Sequence, residues 1–282
     1  MIKHRSFTIL QYSAALLVTV AVLAPFAWLF ISSIFYQRDL TTVPFKLFPK
    51  AVTFSRYIDI FTDPNNATAY TFKISMVNSL IVAGSVTFIA LLIGSLASYA
   101  FARLRFPLRG QLLYLFLFTY MMPPVVIVIP LYVVLNNLQL INTRSALVLL
   151  YLSMVIPFVV WVMRSYFASV SQSFEGSAAI DGCSRLQTLW YIFLPIARPG
   201  LIATGILAFL LAWDEFFFAL IFTSTLGAKT IPVAISEFTG KNAVDYGMIA
   251  TGGIIAILPP LLITCFFQKY MVQGMTAGGI KE

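Results

Sequence analysis

Six long apolar runs divide this chain, and no soluble architecture could bury them all. They cover residues 9–34, 74–101, 111–135, 145–167, 199–225 and 247–270. A helix crossing a bilayer needs about 20 predominantly apolar residues, and each run supplies that length. Of the 282 residues, 60% are hydrophobic and only 10% are charged, against roughly 45–50% and about 25% in soluble domains. The runs are continuous, unlike the short alternating segments of a membrane β-barrel. The fold class is therefore an all-α membrane protein with six transmembrane helices in a single domain over residues 1–282. The first run is longer than the apolar core of a signal peptide and lacks a small-residue cleavage site, so it counts as a span.

Orientation follows from the basic residues. Arg103, Arg105 and Arg109 share one short loop without an acid, and Lys3 and Arg5 precede the first run. Both groups lie inside if the termini are cytoplasmic. The first external loop, 35–73, is longer and of mixed charge. The loop 168–198 and the tail 271–282 then face the cytoplasm. The net charge of +8 suits basic cytoplasmic loops. No basic–aromatic patch points to nucleic acid. Cys183 and Cys265 would lie in a reducing loop and in the last span, so no disulfide is expected.

The chain lacks the residues of most chemistries. His4 is its single histidine, too little for a metal site. No phosphate-binding Gly-x-x-x-x-Gly-Lys-Ser/Thr loop occurs, nor a hydrolase or metalloprotease signature. An enzyme is not expected, and no cofactor is expected in this chain. Energy must come from an ion gradient or a partner.

Two spans carry unusual residues. Pro123, Pro124 and Pro130 in the third remove backbone donors, so that span is kinked or interrupted, as a packed bend or as the wall of a path. In the fifth, Trp213, Asp214 and Glu215 stand in sequence within an apolar run. Carboxylates there must avoid lipid, facing a path, a structural bond or the outer surface. On a continuous helix they would sit about 22 Å beyond Pro199. In the first external loop, which holds Pro44, Pro49 and Pro64, residues 55–61 read as a short helix with Ser55 as N-cap.

The loop 168–198 is too long for a turn and reads as two helices. The first, 173–181, has Ser173 as N-cap, Glu175 in its first turn and Gly182 as its left-handed stop. The second, 184–194, ends before Pro195 and shows Leu186, Leu189 and Phe193 as one apolar stripe. Phe174 and Ala178 make a smaller apolar face on the first, and the small residues Gly176, Ser177, Ala178 and Ala179 allow close approach of a protein groove.

This loop resembles the signature of permease subunits of binding-protein-dependent ABC importers: Glu-Ala-Ala, three residues, Gly, nine residues, then Ile-x-Leu-Pro. Ala178, Gly182, Ile192, Leu194 and Pro195 match at the required spacing, and Asp181 matches the Asp-Gly pair common in the family. The signature's Glu and first Ala are replaced by Gly176 and Ser177, while Glu175 stands one residue early, rotated about 100°. Trp213-Asp-Glu-Phe is similar to the Trp-Asn-Glu-Phe of carbohydrate importers of the maltose type, and the ending 268–281 resembles that subfamily's tail.

The resemblance implies an ABC importer type I permease with a cytoplasmic two-helix coupling loop, importing a sugar, polyol or oligosaccharide by alternating access. It implies two ATPase subunits holding ATP and Mg, a second homologous permease and an extracytoplasmic solute-binding protein. The setting is the cytoplasmic (inner) membrane of a bacterium or archaeon, crossed several times. Glu175, Ala178, Ala179, Asp181, Gly182, Ile192, Leu194 and Pro195 are the residues expected to serve ATPase coupling. Two alternatives are an ABC permease for a non-sugar solute and an ion-coupled secondary transporter using Asp214 and Glu215, which inverted repeats would support.

Overall fold

The computed structural model describes residues 2–43, 51–63, 67–238 and 244–277. Pro44, Pro49, Pro64 and the tail residues 278–282 lie outside that set. In chain order the helices are α1 (Ile2–Ile34), α2 (Gln37–Leu40), α3 (Ser55–Thr62), α4 (Ala67–Arg103), α5 (Arg109–Met121), α6 (Pro124–Asn137) and α7 (Arg144–Ser169). Next come α8 (Ser173–Ile180), α9 (Arg185–Thr188), a π-helical turn at Leu189–Phe193, α10 (Leu194–Ile196) and α11 (Arg198–Trp213). The chain continues with α12 (Phe217–Phe222), α13 (Ile231–Ser236) and α14 (Tyr246–Ala277). No strand occurs among the described residues; Phe35 and Val52 form one isolated bridge.

Four unbroken helical stretches are long and apolar enough to cross a membrane: Leu10–Ile34, Ala67–Arg103, Arg144–Ser169 and Tyr246–Met271. Two bent pairs, α5 with α6 at 92° and Arg185–Ile196 with α11 at 83°, bring the number to six if each pair counts as one span. The third run is interrupted where its prolines stand. Met122 and Pro123 are extended, and Pro124 opens α6, a first-turn position where its missing N–H costs nothing. Pro130 is absorbed inside α6.

The fifth run departs from the expected continuous helix. α11 stops at Trp213, and α12 reaches only Phe222. The physical reason is Glu215, whose carboxylate accepts the N–H groups of Phe218 at 2.8 Å and Ala219 at 3.1 Å. Those bonds begin a new helix instead of prolonging the old one. The last helix runs past the expected end at residue 270 to Ala277, carrying the backbone of Gly274 within it. Expected N-caps also shift. Phe54 precedes α3 and Gln172 precedes α8, neither with a side-chain cap bond, so Ser55 and Ser173 are first helical residues.

The chain forms two compact units. One comprises residues 1–73 and 234–258. Here Arg56 donates to the carbonyls of Ser33 (3.3 Å) and Phe35 (2.6 Å) and pairs with Asp245 at 3.6 Å. Asp245 in turn accepts from Met248 N at 2.9 Å, opening α14. The side-chain amide of Gln37 donates to Val244 O at 2.6 Å.

The other unit comprises residues 74–233 and 259–282, and α7 is its axis. Leu147, Tyr151, Val155, Val159, Met163 and Phe167 recur every four residues along α7, and none is more than 2% exposed. Each step of four drifts about 40° around the helix, so the buried row winds about α7 as its packing partners change. A Cβ at Gly94 of α4 would come within 2.5 Å of Val159 Cγ1, so a glycine there lets α4 and α7 touch, as small residues do in membrane helix pairs.

Candidate functional site

Within the second unit the segment after α7 is built for rigidity. α8 ends in a Schellman motif: Cys183 N donates to Ala178 O at 2.9 Å and Gly182 N to Ala179 O at 3.2 Å. Gly182 has φ +76°, the left-handed conformation that a Cβ disfavours. The chain restarts at once through a capping box. Ser184 N donates to Gln187 Oε1 at 2.8 Å, and Gln187 N donates to Ser184 Oγ at 3.4 Å. The second helix does not stop before Pro195. A π-helical turn over Leu189–Phe193, with Leu194 N bonded to Leu189 O, widens the helix, and Pro195 then falls in the first turn of α10, where no donor is required.

Arg103, at the end of α4, joins this segment to the spans. Its Nε and Nη2 donate to Phe167 O at 3.0 and 2.6 Å, and Nη2 also donates to Val170 O. These bonds satisfy carbonyls at the C-terminus of α7. Its Nε lies 3.5 Å from Glu175 Oε1, and the arginine side chain is only 6% exposed. The guanidinium also stands 4.9 Å from the centroid of Phe193, whose ring packs edge-on to Tyr99 and Phe167. One side chain thus ties α4, α7, α8 and the π-turn together.

The residues singled out in the loop separate by direction. Glu175 points inward to Arg103, while Gly176 and Ser177, which occupy the signature's Glu and first Ala positions, are exposed. Ala178 is 1% exposed and packs against its own chain. Ala179, Asp181, Gly182 and Pro195 are exposed, and Ile192 and Leu194 are half-buried. The expected stripe divides: Leu189 and Phe193 are buried, but Leu186 faces outward. With Phe174 and Ile180, the last at 88% exposure, it leaves apolar side chains uncovered.

A second feature lies where the two interrupted spans meet. Tyr120 and Pro124 from the α5–α6 break and residues 214–217 from the α11–α12 break line one cavity of about 620 Å³. Non-helical backbone within a membrane is tolerated where it lines such a cavity or is buried in protein. Asp214 and Glu215 both reach this space. Trp213 does not: it is 3% exposed and stacks on Phe209 at 5.5 Å within the core. Among the described residues no cluster of metal-ligating side chains occurs.

Several residues that organise the site carry no local sequence signal of that role. Arg103 was legible only as a basic loop residue. The Ser184-x-x-Gln187 spacing, by contrast, is a capping-box signal carried by the chain itself. Asn78 donates to Leu226 O (2.9 Å) and Lys229 O (2.8 Å) and accepts from Arg144 Nε at 2.8 Å. Asn142 Oδ1 accepts from Ser224 N, Ser224 Oγ and Thr225 N. These amides hold the irregular backbone after α12, and no local pattern announces them.

Comparison with known proteins places residues 90–277 in the family described as binding-protein-dependent transport system inner membrane component. The chain is 34% identical over 272 residues to the sulfoquinovosyl glycerol transport system permease protein SmoH of Agrobacterium fabrum, covering 96% of this chain and 93% of that one. It is 34% identical over 274 residues to the trehalose/maltose transport system permease protein MalG of Thermococcus litoralis, covering 97% and 96%. Its fold matches a chain in the crystal structure of a bacterial ABC transporter involved in the import of the acidic polysaccharide alginate. The TM-score is 0.74 at 22% identity, covering 94% of this chain and 96% of that one.

Proposed function

The chain belongs to the binding-protein-dependent transport inner membrane component family, and from that premise we propose how this multi-pass permease subunit works and what it carries. Its cargo is a sugar or a related polyol or oligosaccharide. The sugar-permease relatives, similar over nearly the whole chain, carry this reading. An extracytoplasmic solute-binding protein delivers the cargo. A second homologous permease completes the path, and two ATPase subunits supply ATP and Mg. Both termini and the segment 168–198 face the cytoplasm of a bacterial or archaeal cell.

Phe174, Gly176, Ser177, Ile180 and Leu186 offer the uncovered surface that an ATPase cleft would take. Asp181 and Gly182 form the corner between the two helices. Force applied there passes through Arg103 to α4 and through the chain to α7 and α11, a rigid-body coupling suited to alternating access. Glu175 serves this coupling from the inside, by holding Arg103. Family membership displaces the ion-coupled alternative.

Co-purification tests the assembly: an ATPase, a second permease and a binding protein should accompany the tagged chain. In proteoliposomes the complex should accumulate sugar only with ATP inside the hydrolysing compartment. Uptake driven by a proton or sodium gradient through this chain alone would overturn the reading.

A further inference from the structure

The cavity at the two helix breaks adjoins a smaller recess of about 250 Å³, enclosed by Tyr120, Tyr151, Met154, Val155, Leu211 and Glu215. Four of these residues line both spaces, so the two share a wall. Tyr151 is 1% exposed, and its Oη closes no well-aligned hydrogen bond. Its polar neighbours are Glu215 and Thr230. Thr230 is 2% exposed, and its Oγ1 likewise closes none. A buried hydroxyl without a well-aligned partner has given up its water bonds for little. Of these groups Tyr151 and Glu215 reach the recess, where a hydroxyl-bearing molecule could complete what the poorly aligned pair leaves open.

The chemistry of that molecule follows from what surrounds it. Each oxygen of Glu215 already accepts one backbone N–H, so its charge is substantially met and a bare cation would gain little. Each oxygen also retains a lone pair for an O–H donor. The hydroxyl of Tyr151, which lines the recess, can both donate and accept. Met154, Val155 and Leu211 make the remaining wall apolar, and Tyr120 adds an aromatic ring. Hydroxyls that donate and accept, carried on a ring with apolar C–H faces, are the properties of a sugar.

We infer that this permease binds a sugar ring of its cargo directly, in the recess between Tyr120 and Tyr151, with Glu215 accepting a sugar hydroxyl. The inference rests on the carbohydrate reading above and adds that this subunit, not only its paired permease, touches the substrate. Glu215 itself is a poor probe because it also starts α12. Tyr151→Phe removes one oxygen and keeps the ring.

The test uses the assembled importer in proteoliposomes with its binding protein, and radiolabelled glucose, maltose, trehalose and diacetylchitobiose as probes. Uptake of none of them would overturn the carbohydrate reading and this inference together. With a transported sugar, Tyr151→Phe should lower the uptake rate about tenfold, the scale of one lost hydrogen bond to a charged or buried partner. It should leave the melting temperature of the complex no lower than before. Unchanged uptake, or a lowered melting temperature, would overturn the inference while the carbohydrate reading stands. Independently, Leu211→Cys in a Cys183→Ser/Cys265→Ser background should react with N-ethylmaleimide at least fivefold more slowly when sugar-loaded binding protein is engaged than when it is sugar-free. Equal rates would place the sugar elsewhere.

Discussion

Arg103 shows how little a residue type reveals without its surroundings. In the sequence it is one of three arginines that orient the chain. In the fold its guanidinium satisfies two carbonyls at the end of α7 and meets Glu175. A planar fork can do this and a single ammonium cannot. Arg103→Ala leaves those carbonyls unpaired, and the expected loss is about 2–4 kcal/mol, read as a lower melting temperature of the purified complex. Arg103→Lys should recover less than half of the loss. Glu175→Gln should cost under about 1 kcal/mol, because its carboxylate is about a third exposed and solvent screens the pair. A Glu175 effect as large as that of Arg103 would show that the ion pair, and not the carbonyl bonds, holds the segment. The early position of Glu175 was visible in the sequence. Its partner was not, because Arg103 lies in another helix.

At the scale of elements, local signals governed the helix ends and distant contacts governed the breaks. Gly182 and the Ser184-x-x-Gln187 spacing belong to the chain itself, and the Schellman stop and capping box form from neighbouring residues. Gly182→Ala keeps the length of the corner but forces a Cβ into a left-handed conformation, at a cost of about 1–2 kcal/mol. Hydrogen exchange of the amides of Gly182 and Cys183 should accelerate, and uptake should fall while the spans stay folded. Unaltered exchange would mean that the corner tolerates a Cβ. The prolines at 123 and 124 announced the break in the third span. The break after Trp213 had no such warning, since Asp214 and Glu215 are not helix breakers on their own. It follows from Glu215 capping the next helix, a choice also permitted by the cavity beside it.

At the scale of the molecule, the proposed orientation puts the exposed corner of the loop on the cytoplasmic side. Ile180→Cys, introduced with Cys183→Ser and Cys265→Ser, should react with a membrane-impermeant maleimide in inverted vesicles and not in intact cells. Adding the ATPase should protect it, and labelling from outside would reverse the topology. The sequence by itself determined that the chain is a helical membrane protein and which family it joins. Apolar length and motif spacing are local properties, and the bilayer enforces them wherever they occur. Tertiary structure alone decided that Ala178 is buried, that Glu175 turns inward and that Leu186 leaves its stripe. It also decided that Tyr151, from the middle of α7, meets Glu215 and Thr230. Which groups become neighbours, and which buried hydroxyls are left without a well-aligned partner, depends on how separate helices pack, and no spacing along a single helix encodes that.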